Sequence, residues 1–274
     1  MTGPILVFDS GLGGTTVLAA IRDLMPGEDL VYLVDDAGFP YGDWEDEAAL
    51  VSRIVETVAT AAAETGARCA VIACNTASTV ALPALRARLA IPVVGTVPAV
   101  KPAAERTRSG LVSVLATPGT VRREYTRALI DRFAGSAEIT LVGSPHLAAL
   151  AEAHGRGDPI DAAALAAAVG ACFVETGGRR TDTVVLACTH YPLLLEPLEA
   201  IAPWPVAWID PAPAIARRVR EVVAPAPARA RADLQTRSTA GRPRSDEIDR
   251  ILARLDRPAR TDRDPVQTPK TCLS

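Results

Sequence analysis

Short, continuously apolar runs alternate with stretches of helical periodicity along most of the chain. In the first half these runs are residues 4–8, 30–34, 69–73 and 91–97. Their length and lack of polar alternation are typical of strands buried on both faces of a sheet. Between them, Leu50, Ile54 and Val58 form an apolar stripe within residues 43–63, which predicts a helix capped at Gly66. Strands alternating with helices predict right-handed crossovers and a parallel sheet.

The second half repeats this rhythm. Its predicted strands are residues 111–116, 139–142, 183–187 and 206–209, and its predicted helices are residues 121–133, 159–176 and 212–223. A late strand at 233–238 and a helix at 245–255 follow. In the first half, one further helix begins near Asn75, and we expect Pro83 to kink or divide it.

Two segments of the chain resemble each other. Val71–Thr76 and Val185–His190 are each an apolar strand that ends in Ala-Cys and continues into small polar residues. This match predicts two similar doubly wound α/β domains with mainly parallel sheets. Ligands of such sheets bind at the carboxyl ends of strands, so we expect the site in the cleft between the domains. The expected ranges are 1–97 with about 207–256 for the first domain, 98–206 for the second, and 257–274 for a disordered tail.

Composition and charge exclude several classes of protein. The 274 residues are 49% hydrophobic and 22% charged, which is ordinary for a globular protein. A formal net charge of −3 argues against nucleic-acid or membrane-surface binding, since both usually need a basic excess. The N-terminus lacks a signal-peptide pattern, and the longest weakly polar run, residues 162–174, is too short to cross a bilayer. We expect a cytoplasmic protein with neither nucleic acid nor membrane as a partner.

The cysteines and lysines limit the cofactor chemistry. The cysteines are Cys69, Cys74, Cys172, Cys188 and Cys272. Their odd number, wide spacing and lack of a CxxC pair fit neither a disulfide framework nor a zinc finger, and they suit a reducing cytosol. The lysines are Lys101 and Lys270, and neither is a good candidate for the Schiff base of pyridoxal phosphate.

Cys74 and Cys188 stand out because each follows a strand and precedes a predicted helix. A cysteine at a strand end is most often a small buried hydrophobe. Two in matched contexts favour a functional role, since the positive end of a helix lowers a thiol pKa. Cys69 and Cys172 lack that setting and serve as internal controls. Cys188 and His190 can supply two ligands to a metal, but nothing nearby completes a set, so we predict no metal site.

Residues 9–14, Asp-Ser-Gly-Leu-Gly-Gly, follow a strand and open a helix. They form no dinucleotide fingerprint, because Thr16 stands where the third glycine belongs, and they lack the lysine of a P-loop. Backbone N–H groups, a hydroxyl and a carboxylate at a strand end suit a zwitterionic ligand. Thr117 and Thr120 flank another strand end, where a helix cap and a binding role are about equally plausible.

Four motifs together resemble the cofactor-independent aspartate/glutamate racemase superfamily, and specifically its glutamate racemases. They are DSGLGG at 9–14, PYG at 40–42, ACNTAS at 73–78 and CTHYPLL at 188–194. The resemblance covers roughly residues 4–215. It implies interconversion of L- and D-glutamate without a cofactor, supply of D-glutamate for peptidoglycan, and a homodimer.

The resemblance also assigns roles to individual residues. It implies that Cys74 and Cys188 are the acid/base pair, assisted by Asp9, His190 and Glu152. Glu152 lies in a segment that departs from the usual pattern of the family. The implied substrate-binding residues are Asp9, Ser10, Tyr41, Gly42, Asn75, Thr76, Thr117, Thr120, Thr189 and His190.

Two other functions remain open at this point. One is a racemase of aspartate or another acidic amino acid on the same scaffold. The other is a small-ligand-binding module without turnover, which would have no need of two matched thiols. Turnover separates the two racemases, and the reactivity of the cysteines toward alkylation separates an enzyme from a mere binder.

Overall fold

The computed structural model describes residues 3–224, 232–242 and 244–255. Its strands are β1 Ile5–Asp9, β2 Leu30–Val34, β3 Cys69–Ile72, β4 Val93–Gly95, β5 Leu111–Ala116, β6 Glu138–Gly143, β7 Glu175–Thr176, β8 Arg179–Arg180, β9 Thr183–Ala187, β10 Ala207–Ile209 and β11 Leu234–Ser238. Its α-helices are α1 Thr15–Leu24, α2 Glu47–Thr65, α3 Asn75–Arg88, α4 Val100–Arg106, α5 Pro118–Arg122, α6 Glu124–Phe133, α7 Leu147–Arg156, α8 Ala162–Val169, α9 Leu195–Ile201, α10 Ala212–Val222 and α11 Ser245–Leu255. Short 3₁₀ turns cover Tyr41–Asp43, Gly170–Cys172 and Tyr191–Leu194.

Five parallel strands form the first sheet, in the order β11-β2-β1-β3-β4. Every residue of β1 is buried, as expected for a continuously apolar run in a sheet covered on both faces. Helices α1, α10 and α11 cover one face and contribute Leu18, Val219 and Ile251 to its core. Helices α2 and α3 cover the other face with Ile54 and Leu85. Full burial of each such side chain stabilises the fold by about 1.5–3 kcal/mol.

Four parallel strands form the second sheet, in the order β10-β9-β5-β6. Helices α7, α8 and α9 pack Ala151, Leu165 and Leu198 against one face. Helices α4 and α6 pack Ala103 and Leu129 against the other. The one antiparallel pair among the described strands is the short hairpin of β7 and β8. This confirms the predicted α/β class with mainly parallel sheets.

The chain returns from the second sheet to the first later than expected. Residues 207–209 form β10 and pair with β9, so they belong to the second sheet rather than opening the final part of the first. After them, α10 packs on α1, and β11 pairs with β2 along its whole length. The expected division into two domains stays a prediction, and this pairing moves its second boundary beyond residue 209. The expected tail at 257–274 lies outside the described residues.

Several predicted helices differ from the observed ones. Helix α3 runs unbroken through Pro83, because that ring is exposed while Leu82 and Leu85 hold the helix by burial. The helix predicted at 121–133 is two helices, since Arg123 between them has extended backbone angles. The helix predicted at 159–176 ends at Val169. No helix in the described part of the chain is both long and apolar enough to cross a membrane.

Candidate active site

The candidate catalytic residues meet where four strands end. Asp9 ends β1, Cys74 follows β3, Thr117 follows β5 and Cys188 follows β9. Side chains at these ends enclose a small cavity of about 30 Å³, which we call the inner pocket. It is lined by Ser10, Phe39, Pro40, Tyr41, Gly42, Cys74, Asn75, Thr76, Thr117, Ala148, Cys188, Thr189 and His190. The two matched cysteines, from different sheets, therefore line one pocket.

Cys74 is a buried thiol at the start of α3. Its Sγ accepts a hydrogen bond from the Ala77 N–H at 3.5 Å and lies 3.5 Å from Ser10 Oγ. Burial, reinforced by the Asp9 carboxylate, raises the pKa of Cys74 to about 12. The expectation that the helix start lowers this pKa is therefore wrong for this structure, because desolvation exceeds the effect of the Ala77 amide. Cys74 is protonated at neutral pH.

The control cysteines have the same protonation state but different surroundings. Burial raises the pKa of both Cys69 and Cys172 to about 12. Neither residue lines the inner pocket. The shifted pKa of Cys74 thus marks it as buried, and it is the position beside Ser10 that marks it as a functional candidate.

Cys188 is paired with His190. Its Sγ lies 3.8 Å from Nδ1 of that imidazole. Residues 191–194 after it form a 3₁₀ turn, so the regular helix expected to follow Cys188 starts only at Leu195. Burial opposes the cationic form of His190, but hydrogen bonds to Cys188 and Glu152 outweigh it and raise the pKa of His190 well above its usual value. A buried cation therefore stands beside this thiol.

Glu152 reaches the site from α7 through His190. Its Oε1 lies 3.2 Å from His190 Nε2 and accepts the Leu12 N–H at 2.8 Å. Burial opposes ionisation, yet these hydrogen bonds prevail and lower the pKa of Glu152. Glu152 does not line the inner pocket and reaches it through His190, and its assisting role stays a prediction. It orients His190 and ties the turn after β1 to the second sheet.

Asp9 and Thr189 form a second link between the two sheets. Thr189 Oγ1 donates to Asp9 Oδ2 at 2.9 Å, and the Gly11 N–H donates to Oδ1 at 2.8 Å. Asp9 is fully buried, and this burial raises its pKa against the opposing effect of His190. Asp9 lies behind Thr189 instead of on the pocket wall.

Most of the hydroxyl and amide groups predicted to bind substrate line the inner pocket, while Thr120 is buried behind Thr117 and does not line it. Thr76 Oγ1 lies 3.3 Å from Thr117 Oγ1, which lies 3.1 Å from Thr120 Oγ1. Thr117 also accepts the Thr120 N–H at 3.4 Å, so it is a helix cap and a pocket residue at once. The amide of Asn75 is buried, and neither its oxygen nor its nitrogen has a hydrogen-bond partner among the described residues. Such a group requires a ligand or water.

Tyr41 is held from behind by a carboxylate that the sequence did not reveal. Its hydroxyl donates to Asp35 Oδ2. Asp35 also accepts Arg53 Nε at 2.7 Å and Thr239 Oγ1 at 2.6 Å. Tyr41 and Gly42 thereby keep a fixed position on the pocket wall. The carboxylate is one of two adjacent aspartates after β2, and the sequence carries no sign of which one turns inward.

The glycines after β1 make room for the His190–Glu152 pair. A Cβ at Gly13 would lie 2.5 Å from His190 Nδ1, and one at Gly11 would lie 2.3 Å from Glu152 Oε1. The sequence suggested that this turn offers backbone N–H groups to a ligand; instead, Gly11 and Leu12 donate theirs to Asp9 and Glu152. Phe39, also missed, packs its ring 5.7 Å from that of His190. The sequence signal that could have identified Phe39 as a site residue is its position directly before the Pro-Tyr-Gly motif.

Two further features bear on cofactors. Within the described ranges, no group of three or more His, Cys, Asp or Glu side chains is placed to hold a metal ion. The four cysteines in those ranges are free thiols, and Cys272 lies outside them.

Comparison with known proteins identifies the family to which the sequence and fold are similar. The family model for Asp/Glu/Hydantoin racemases matches residues 15–219. The glutamate racemase of Brucella ovis is 60% identical over 221 residues, which are 80% of this chain and 79% of the relative. The Escherichia coli glutamate racemase, solved with L-glutamate and the activator UDP-MurNAc-Ala, is 41% identical with a TM-score of 0.82; the match covers 92% of this chain and 95% of that one. The Thermus thermophilus glutamate racemase, solved with beta-chloro-D-alanine, is 31% identical with a TM-score of 0.70 and 93% coverage of both chains.

The parallel-sheet fold and the family match together define the class of this protein as a racemase. The chain belongs to the Asp/Glu/Hydantoin racemase family. It is an isomerase, and within the family its highly identical relatives are glutamate racemases.

Proposed function

We propose that this enzyme interconverts L- and D-glutamate, with Cys74 and Cys188 as the two acid/base groups. One observation carries the proposal: two thiols from different sheets line the same pocket, beside the unpaired amide of Asn75. The names of the relatives favour glutamate as the substrate.

Two bases are needed because racemisation inverts one carbon. A single base that removes the Cα proton tends to return it to the same face. With two, a thiolate on one face accepts the proton as the Cα–H bond breaks, and a thiol on the other donates its own as a new Cα–H bond forms. The two cysteines together hold one proton before and after the reaction, and the thiol and thiolate have exchanged roles when the product leaves.

The resting enzyme in this mechanism holds one proton on the pair. Cys74, with a pKa of about 12, keeps its proton at neutral pH and acts as the first donor. Cys188 is then the first acceptor, and the proton returns to Cα from the side of Cys74.

The carbanion formed at Cα needs stabilisation that a bare amino acid lacks. The Thr189 hydroxyl is already donated to Asp9. Hydrogen bonds to the α-carboxylate from the Asn75 amide, the Thr76 hydroxyl and the Thr189 backbone N–H can supply this stabilisation, each worth about 3–4 kcal/mol when well aligned. These residues flank the two cysteines in sequence and line the pocket with them. His190, kept cationic by Glu152, adds positive charge beside Cys188.

The test is turnover of L-glutamate by protein freed of pyridoxal phosphate. Proton NMR in D2O follows exchange at Cα, and circular dichroism follows loss of optical activity. We expect both signals together with L-glutamate and slower or no change with L-aspartate. Faster turnover of L-aspartate would show that the enzyme is an aspartate racemase instead of a glutamate racemase.

A ligand-binding module without turnover makes a different prediction. Its cysteines would react with iodoacetamide no faster than ordinary buried thiols. We expect Cys188 to be alkylated first and glutamate to protect it. Slow, unprotected alkylation together with no exchange in D2O would favour the binding module.

The wider role follows from the same assignment. An enzyme that makes D-glutamate in the cytoplasm supplies a building block of peptidoglycan, and we propose that role here. The resemblance to the family also implies a homodimer, which sedimentation velocity of the purified chain tests directly.

A further inference from the structure

The inner pocket is too small to admit an amino acid as it stands. Its volume of about 30 Å³ is about two to three times the roughly 10–15 Å³ that a cavity needs to hold one water molecule. The walls come from both sheets, so a substrate reaches the thiols only when these walls separate. The route of approach is therefore a property of the surface where the two units meet.

A second, larger cavity adjoins this surface on the side of Gly42. It has a volume of about 410 Å³, and we call it the outer cavity. Gly42 lines both cavities, so the two are neighbours across one residue. Trp44 and Glu47 bound the outer cavity from the first sheet's side, and Arg123 and Tyr125 from the second's.

Arg123 is a partly buried cation with two N–H groups that lack a hydrogen-bond partner in the described part of the chain. Its Nε and Nη1 are shielded from solvent, and no acceptor in the described part of the chain hydrogen-bonds either atom. Nε lies 3.4 Å from Glu47 Oε2, an ion pair that leaves the Nε hydrogen bond unmade. The Glu47 side chain is 64% exposed while that of Arg123 is 16% exposed. A guanidinium with buried, unused N–H groups is suited to receive a carboxylate.

The local backbone holds Arg123 where an arriving anion would meet it. Its extended conformation separates α5 from α6, and its N–H bonds to the Thr120 carbonyl. The guanidinium lies against Gly119, where a Cβ would come within 3.0 Å of Nη1. The same Cβ would lie 3.7 Å from the Gly42 carbonyl across the gap between the two units. Arg123 therefore stands at the seam between the outer cavity and the inner pocket.

We propose that the outer cavity is a docking site for the incoming substrate, in which Arg123 binds a carboxylate of an acidic amino acid before the walls of the inner pocket part. The identity of that amino acid rests on the proposed function. Glutamate carries two carboxylates, one of which pairs with the planar guanidinium in the two-pronged geometry that arginine favours. Glu47 competes for the same cation and is displaced as the substrate docks.

The decisive experiment compares three single variants in racemisation from both enantiomers. Arg123→Gln lowers kcat/KM about tenfold with little change in kcat, since one charge-assisted contact is lost before the chemical step. Glu47→Gln changes kcat/KM in the opposite direction, because it frees Arg123. The matched control Arg127→Gln removes an exposed arginine from α6, one turn away and outside the outer cavity, and leaves kcat/KM within twofold.

Salt and a conservative variant separate docking from a merely structural role. The wild-type kcat/KM falls as ionic strength rises, and Arg123→Gln loses part of that dependence. Arg123→Lys keeps the positive charge but lacks the planar, two-pronged guanidinium. It recovers part of the kcat/KM that Arg123→Gln loses. An unchanged kcat/KM in Arg123→Gln, or an equal fall of kcat and kcat/KM, overturns the docking site even though the wild type racemises glutamate.

A binding measurement distinguishes failure of the docking site from failure of the proposed racemase activity. If the wild type does not racemise glutamate, the proposed function fails, and calorimetric titration with glutarate then tests the docking site alone. Glutarate that binds the wild type at least fivefold more tightly than Arg123→Gln supports the site. Equal binding, or none to either protein, overturns it.

Discussion

The buried pair of Glu152 and His190 predicts a pH-dependent loss of stability when its negative charge is removed. Glu152→Gln keeps the size of the side chain, and its amide oxygen can still accept the Leu12 N–H, as Oε1 does at 2.8 Å. What disappears is a charge that lies 3.2 Å from His190 Nε2 and, at Oε2, 3.6 Å from Nη1 of the more exposed Arg156. The Glu152 and His190 side chains are 9% and 3% exposed, so solvent screens their attraction only weakly.

The expected magnitude follows from the contacts that are lost and kept. A hydrogen bond between charged groups contributes about 1.5–3 kcal/mol, and removing one partner of a buried ion pair costs about 3–5 kcal/mol. The Leu12 bond survives in the variant, and His190 can release its proton instead of remaining an unpaired cation. Both effects reduce the cost, so we expect a loss of about 2–3 kcal/mol in the free energy of unfolding near pH 6.

The sign of the pH dependence comes from the two shifts. The pKa of Glu152 is lowered from 4.5, so its contribution is present above that unfolded value and disappears as pH falls through the folded one. The pKa of His190 is raised from 6.5, so its contribution is full below that value and disappears as pH rises through the folded one. The cost of Glu152→Gln is therefore greatest between about pH 4.5 and 6.5 and declines in alkaline solution.

Urea unfolding at about pH 6 and about pH 9 measures this difference. Glu175→Gln is the matched control, because Glu175 pairs with Arg180 at a site where both side chains are more than half exposed. That change is expected to cost less than about 0.5 kcal/mol at either pH. A loss for Glu152→Gln that is the same at both values, or absent near pH 6, would show that the pair is not ionised in the folded protein.

Three further predictions address the site itself. Gly13→Ala places a Cβ against His190 and should lower kcat by about a hundredfold or more, with the far-ultraviolet circular dichroism unchanged. A kcat near that of the wild type would show that the His190 imidazole can move aside without loss of activity. Asn75→Ala removes the unpaired amide and should lower kcat/KM for both enantiomers by about 10²–10³, whereas a change in melting temperature alone would mark the amide as structural. Cys74→Ala and Cys188→Ala should each abolish racemisation, and exchange of Cα in D2O by NMR should survive for a single enantiomer, the opposite one in each variant.

Much of the fold follows directly from the sequence because parallel sheets need continuously apolar strands. The run that forms β1 and the stripe of α2 through Leu50 carry that signal locally. The path of the chain after residue 206 depends instead on pairing between distant strands. The β10 strand is only three residues long, and its place beside β9 is set by tertiary contact rather than by its own pattern.

The candidate site likewise contains residues that the local sequence reveals and residues that only distant contacts reveal. The residues at strand ends, such as Cys74 and Cys188, are visible in sequence because a motif and a strand end coincide. Asp35 and Arg123 are not visible, since their importance arises from contacts with residues far along the chain. The protonation of Cys74 was also beyond local reasoning, because the helix start is seen in the sequence while the burial that outweighs it is not.

The central claim is that two thiols act on opposite faces of one carbon. The most direct test is the position of deuterium during the first few per cent of reaction from L-glutamate in D2O. Two bases predict deuterium at Cα of the D-glutamate formed, while the remaining L-glutamate stays unlabelled, with the mirror result from D-glutamate. Deuterium that appears equally early in the remaining substrate would indicate a single exchanging base and contradict the account.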